Sequence, residues 1–153
     1  MGENQILSKL KIIKDKGNIK DLDFLFECLS NKNSDIAKES FNILVNIKVK
    51  AANKIIIEKI KLEKNKEILN QIISICWQSG LDFSDYLLLF FNIVINEDLP
   101  IAIEAMSVIE NILSNYNYNE EHKKEGINLF NKYVKKSDDE VKTLMIKDFI
   151  NTI

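Results

Sequence analysis

The amino-acid sequence predicts an all-α protein: an α-α superhelix of about four helix hairpins following a leading N-terminal helix. Three observations carry that expectation. The 153 residues include only four Gly and one Pro, and no stretch sustains the apolar–polar alternation of a half-buried strand. The composition, 46% hydrophobic and 29% charged, is too apolar for a disordered chain and supplies a sizeable core. Apolar residues recur at helical spacing from end to end, with helix punctuation between the runs.

Nine helical segments follow, at roughly 4–15, 19–30, 34–48, 50–63, 66–79, 83–96, 98–115, 119–136 and 138–152. Gly17 is placed to end the first, and Asn18 to cap the second, with Asp21 three residues on. Asp82 is placed to cap the segment that begins at Phe83. Pro100 falls in a first turn, where its missing N–H costs nothing. Ser137 and Glu140 have the spacing of a capping box, in which hydroxyl and carboxylate each satisfy an orphan backbone N–H. The most apolar stretch, Leu87–Ile95, reads as core. One domain over 1–153 is expected, with its leading helix at 4–15 and repeats at approximately 19–48, 50–79, 83–115 and 119–152.

The repeat emerges when every second helix is aligned. With Ile36, Ile68, Ile101 and Val141 as register position 1, position 5 holds Ser40, Ile72, Ala105 and Met145, and position 9 holds Leu44, Cys76, Ile109 and Phe149. Asn33, Asn65, Asp98 and Asp138 precede position 1 as N-caps. The spacings are 32, 33 and 40 residues. Apolar positions 1, 2, 5, 8, 9 and 12 cover roughly 120° of the helix, and position 6 (Phe41, Ile73, Met106, Ile146) widens the arc, as a helix gripped on both sides requires. One hairpin cannot bury so wide an arc alone, whereas stacked hairpins can.

The segments SDIAKESFNILVNI (34–47) and EDLPIAIEAMSVIENI (97–112) resemble the second helix of HEAT repeats, the armadillo-like α-solenoid family. Ile72 and Met145 depart from that pattern where it has a small residue, and Asp148 falls at the usually apolar position 8. ISICWQSGLDFSDYLLLF (73–90) is also similar to a segment of small bacterial HEAT-repeat proteins. The resemblance implies a solenoid that binds other macromolecules, with its second helices lining the concave face.

On that face the polar positions 4, 7 and 11 form a stripe: Glu39, Asn42 and Asn46, then Gln71, Ser74 and Gln78, then Glu104, Ser107 and Asn111. Position 11 carries an amide in all four repeats, Asn151 being the last. A primary amide offers one acceptor and two donors, enough to pair with the C=O and N–H of an extended peptide. The resemblance points the same way, since armadillo proteins use an Asn ladder for this. Solvated amides would show the same pattern. Trp77, the only Trp, stands at the edge of the apolar arc, either as an interface anchor or as a filler at an inter-repeat joint. Tyr116 and Tyr118, in an Asn-rich loop, are expected to be exposed.

Charge is segregated. Residues 1–66 carry 14 Lys and nine acids, residues 67–122 carry nine acids and no Lys, and residues 123–153 carry seven Lys and five acids. Ordinary solvated faces would account for this, as would a basic partner docking on the acidic middle, or head-to-tail self-association. There is no Arg, so no planar fork for phosphates or guanine edges and no arginine finger. A nucleic-acid interface needs a basic concave face, and here Lys147 and the marginal Lys38 stand against Glu39 and Glu104. Nucleic acid is therefore not expected as a partner.

Enzyme chemistry finds no foothold. His122 lacks further ligands at helical spacing, Cys28 and Cys76 lie on apolar faces far from it in sequence, and no Gly-rich loop is placed to cradle phosphate. No cofactor and no metal are expected. No apolar run is long enough to span a bilayer, no signal peptide is evident, and two Cys make no disulfide framework. The expectation is a cytoplasmic protein–protein interaction module, monomeric or weakly self-associating, that binds a protein or extended peptide. An inhibitor or immunity protein masking a basic effector, and a structural assembly component, are the alternatives.

Overall fold

A computed structural model describes all 153 residues. It contains nine α-helices and no strand: α1 (Glu3–Lys16), α2 (Leu22–Cys28), α3 (Ser34–Val45), α4 (Ala52–Leu62), α5 (Lys66–Gln78), α6 (Leu87–Asn96), α7 (Leu99–Asn115), α8 (Glu120–Lys136) and α9 (Glu140–Thr152). Short 3₁₀ turns, Ile19–Asp21 and Ser84–Tyr86, lead into α2 and α6. The boundaries follow the capping residues. At the first turn the Asn18 N–H donates to the Asp21 carboxylate, and the Asn18 side chain accepts from the Lys20 N–H (2.9 Å each). Asn33 and Asn65 accept from the backbone N–H groups of Asp35 and of Glu67 and Ile68. Asp82 accepts from the N–H of Ser84 and so shapes the turn before α6, not the helix itself.

The chain divides into two compact units, Met1–Leu81 and Asp82–Ile153. In the first, α2 pairs with α3 and α4 with α5, while α3 also packs against α1 on one flank and α5 on the other. Lys59 of α4 reaches Asp23 of α2 (2.6 Å) and lies over the Phe26 ring, so α2 and α4 are neighbours too. The core is aliphatic, built from Leu10, Leu22, Leu25, Ile36, Leu44, Ile56, Ile57 and Ile72. Ser40, buried at position 5 of α3, satisfies its hydroxyl by donating to the Leu25 carbonyl of α2.

In the second unit α6 pairs with α7 and α8 with α9, and α6 meets α8 as α7 meets α9. Its centre is aromatic. Phe91, Phe130 and Phe149 close a triangle with ring centroids 4.7, 5.6 and 6.2 Å apart, and Phe83 meets Phe90 edge-on at 6.3 Å. Gly126 of α8 makes this possible, because a Cβ there would enter the Phe91 ring.

The fourth repeat corrects the expected register by one residue. Asp139, not Asp138, caps α9, accepting from the N–H of Lys142 at 3.0 Å, while Ser137 accepts from the N–H of Asp139 instead of forming a capping box with Glu140. Position 1 is therefore Lys142, not Val141. The reason is burial: the expected register would put Asp148 at position 8 of the core, where an unpaired carboxylate is costly. The shift places Phe149 there and Ile146 at position 5, both buried, and turns Val141 outward, where Leu144 is exposed as well. Lys142 occupies an apolar position and is only 4% exposed. Its ammonium donates to the carbonyls of Ile95 and Glu97 at the C-terminus of α6 and lies 5.4 Å from the Tyr133 ring centroid. A cation there meets the negative end of the helix dipole, so the burial is compensated.

Candidate functional site

The expected stripe divides into separate settings. On α3, Glu39 turns toward α1, where it pairs with Lys14 (3.4 Å) across a groove of about 750 Å³ also lined by Leu7, Lys11 and Asp35. Asn46 lies just past the end of α3. Its side-chain amide donates to the Asn42 carbonyl (2.8 Å), closing the helix, and it lines a cleft with Ile13, Asn18 and Leu25 on the α1 flank.

Asn42 leans the other way. It lines a groove of about 380 Å³ between α3 and α5 with Ala37, Lys38, Phe41 and Gln71. Two stripe amides from adjacent helices thus line one groove together with an aromatic ring. Ser74 is not on this face. It is buried, and its hydroxyl accepts from the Gln78 amide of the next turn.

In the second unit Ser107 donates to the Ile103 carbonyl (3.2 Å), Asn111 accepts from the Asn115 amide (2.8 Å), and Glu104 is half-buried. The position-11 amide is found in three of the four aligned helices, not all four: the register shift puts Thr152 where Asn151 was expected, and Thr152 donates to the Phe149 carbonyl. At each of Asn46, Gln78 and Asn111 the amide makes one bond within its own helix region. Trp77 is 38% exposed at the end of α5.

The loop tyrosines are half-buried rather than open. Burial pushes the Tyr116 hydroxyl above its ordinary value, helped by the nearby Asp82 carboxylate, and Tyr118 meets the Lys123 ammonium at 3.5 Å. Cys28 and Cys76 are buried free thiols. Burial raises both, Cys76 strongly, with Glu27 adding to the effect at Cys28. No group of His, Cys, Asp or Glu converges as a metal site, and no helix is long and apolar enough to cross a membrane.

Two features are not legible from spacing alone. Phe41, at the widened edge of the apolar arc, lines the α3–α5 groove. Its signal is position 6, on the flank toward α5. Lys142 stands at position 2 of the expected register, where the other three aligned helices have Ala37, Leu69 and Ala102, and a charge inside an apolar arc is the available clue. Compared with protein-family models, curated proteins and solved structures, the chain matches none.

Proposed function

We propose that this chain is a HEAT-like helical-repeat module that works by binding, without catalysis, and holds an extended segment of a partner protein along its second helices. The observation that carries this reading is the α3–α5 groove, which Lys38, Phe41, Asn42 and Gln71 line together. Side-chain amides there can pair with both the C=O and N–H of a peptide, and Phe41 gives one apolar side chain a surface to cover. The hairpin pairing within each unit supports a repeat architecture. The two buried thiols suit a reducing compartment such as the cytoplasm.

Selection from a displayed random-peptide library tests the reading. The intact chain is expected to enrich a shared motif with an apolar residue. Removing each amide contact in Asn42→Ala/Gln71→Ala costs about 1 kcal/mol, or roughly 30-fold in affinity for the pair. No enrichment, or equal binding by the double variant, would sink it.

A second reading is inhibition of a basic effector, favoured by the second unit's surface. Asp82, Asp85, Asp98 and Glu110 are exposed in a segment that contains no Lys. It requires salt-sensitive 1:1 binding to a basic protein, lost on neutralising Asp82, Asp85 and Asp98 but unchanged by Asn42→Ala/Gln71→Ala.

A further inference from the structure

The corrected register adds Val141 to an exposed apolar surface on α7 and α9. Counting from their true N-caps, Asp98 and Asp139, position 3 of α7 is Ile103 and position 3 of α9 is Leu144. These helices pack side by side, and the two residues are 47% and 61% exposed. Val141, one turn before Leu144, is 60% exposed. The corresponding residues in the first unit are Lys38 and Asn70, so the apolar patch belongs to the second unit alone. Its surroundings are acidic: Asp98, Asp138, Asp139, Glu140 and Asp148 are exposed, with Lys147 the only exposed base on α7 or α9.

The same chain carries a surface of opposite character. On α1, Leu10 and Ile13 face the core, while Ile12 points away from it and is 66% exposed. Exposed Lys16 stands four residues after Ile12 on the same flank, beside Asp15, while Lys9, three residues before it, is half-buried over the Phe24 ring at 4.0 Å. Lys11, Lys14 and Lys20 are also exposed nearby in sequence, so the segment is net basic. The units differ in net sign. Residues 1–81 hold 14 Lys and 10 acids, net +4, and residues 82–153 hold seven Lys and 13 acids, net −6.

From this complementarity we infer that the α7/α9 face of one copy docks on the outer flank of α1 of a second copy. Ile12 covers Leu144 and Ile103, while Lys16 meets the acidic rim. Like-with-like pairing of two α9 faces would set acids against acids, so the contact is heterologous: each copy keeps one free face of each kind. The contact is weak, because its apolar centre is small and its rim charges are screened by salt.

Sedimentation velocity of the full chain, from micromolar to millimolar concentration at low and high salt, measures the association. The average mass is expected to rise with concentration and to fall back as salt is added. Ile12→Asp and Ile103→Asp/Leu144→Asp are each expected to stay monomeric at every concentration, since all three positions are solvent-facing and the fold survives, as circular dichroism verifies. An equimolar mixture of the two variants tests the geometry. The Ile12→Asp copy keeps an intact α7/α9 face and the other an intact α1 flank, so one 1:1 dimer forms and growth stops there. A wild-type chain that remains monomeric throughout overturns the inference. So does association that survives both variants, or a mixture that fails to restore the dimer.

Discussion

The two units fill the same kind of frame with different material. Both pair their helices as hairpins whose second members lie alongside each other. The first unit fills the space with branched aliphatic side chains spread over five helices, and Phe26 is its one buried Phe. The second also buries aliphatic residues, Ile101, Val108, Ile109 and Ile112 of α7 among them, and adds the Phe91–Phe130–Phe149 triangle, one Gly and one buried Lys. The triangle joins α6, α8 and α9 at one point. Damage there should spread over all three helices, whereas the loss of one aliphatic contact in Met1–Leu81 should stay local.

Hydrogen exchange read separately over the two units can break that comparison. The largest effect is expected from Phe130→Ala, which leaves a cavity among three rings and costs about 4 kcal/mol. Protection should fall across α6, α8 and α9 together, with little change before residue 82. Lys142→Met comes next. It removes the charge-assisted bonds to Ile95 and Glu97 and leaves those carbonyls unpaired, for about 2 kcal/mol, with fraying expected first in α9. In the first unit, Ile57→Val should cost only about 1 kcal/mol and show no focus on one helix. Equal losses from Phe130→Ala and Ile57→Val would end the contrast.

Alkaline pH sharpens it further. Burial raises the Cys76 thiol well above its ordinary value of 9.0, so the unfolded state ionises first. The stability this group contributes is complete below that value and is lost as pH rises past it. Cys28 adds to the same limb, and both thiols lie in the first unit. Thermal melts followed by exchange should show the first unit weakening above pH 9, and Cys76→Ala should flatten the fall. A wild-type profile that is already flat would contradict the assigned burial. The smallest effect is expected from Asp23→Asn, which removes the ion pair with Lys59. Asp23 is largely exposed, and such pairs contribute less than about 1 kcal/mol.

Helix existence and most boundaries were legible in the residues, because N-caps and apolar spacing are local properties. Asn33 and Asn65 cap where they were expected to. The candidate site was less legible. Positions 4, 7 and 11 share one side of an isolated helix, yet α1 and α5 lie on opposite flanks of α3 and draw Glu39 and Asn42 apart. Ser74 fell on the polar stripe by spacing but is covered in the packed unit. Helical spacing gives a direction around an axis; it does not say which neighbour occupies that direction.

The sequence by itself determined that the chain is helical, where most of the helices lie, and that charge differs between its halves. These follow from backbone capping, side-chain period and composition, none of which needs a distant contact. Only the tertiary structure decided the register of the last helix. Asp138 and Asp139 are equally good caps, so local chemistry left a tie. Packing broke it: Asp139 as cap buries Phe149 in place of Asp148 and delivers Lys142 to the carbonyls of α6.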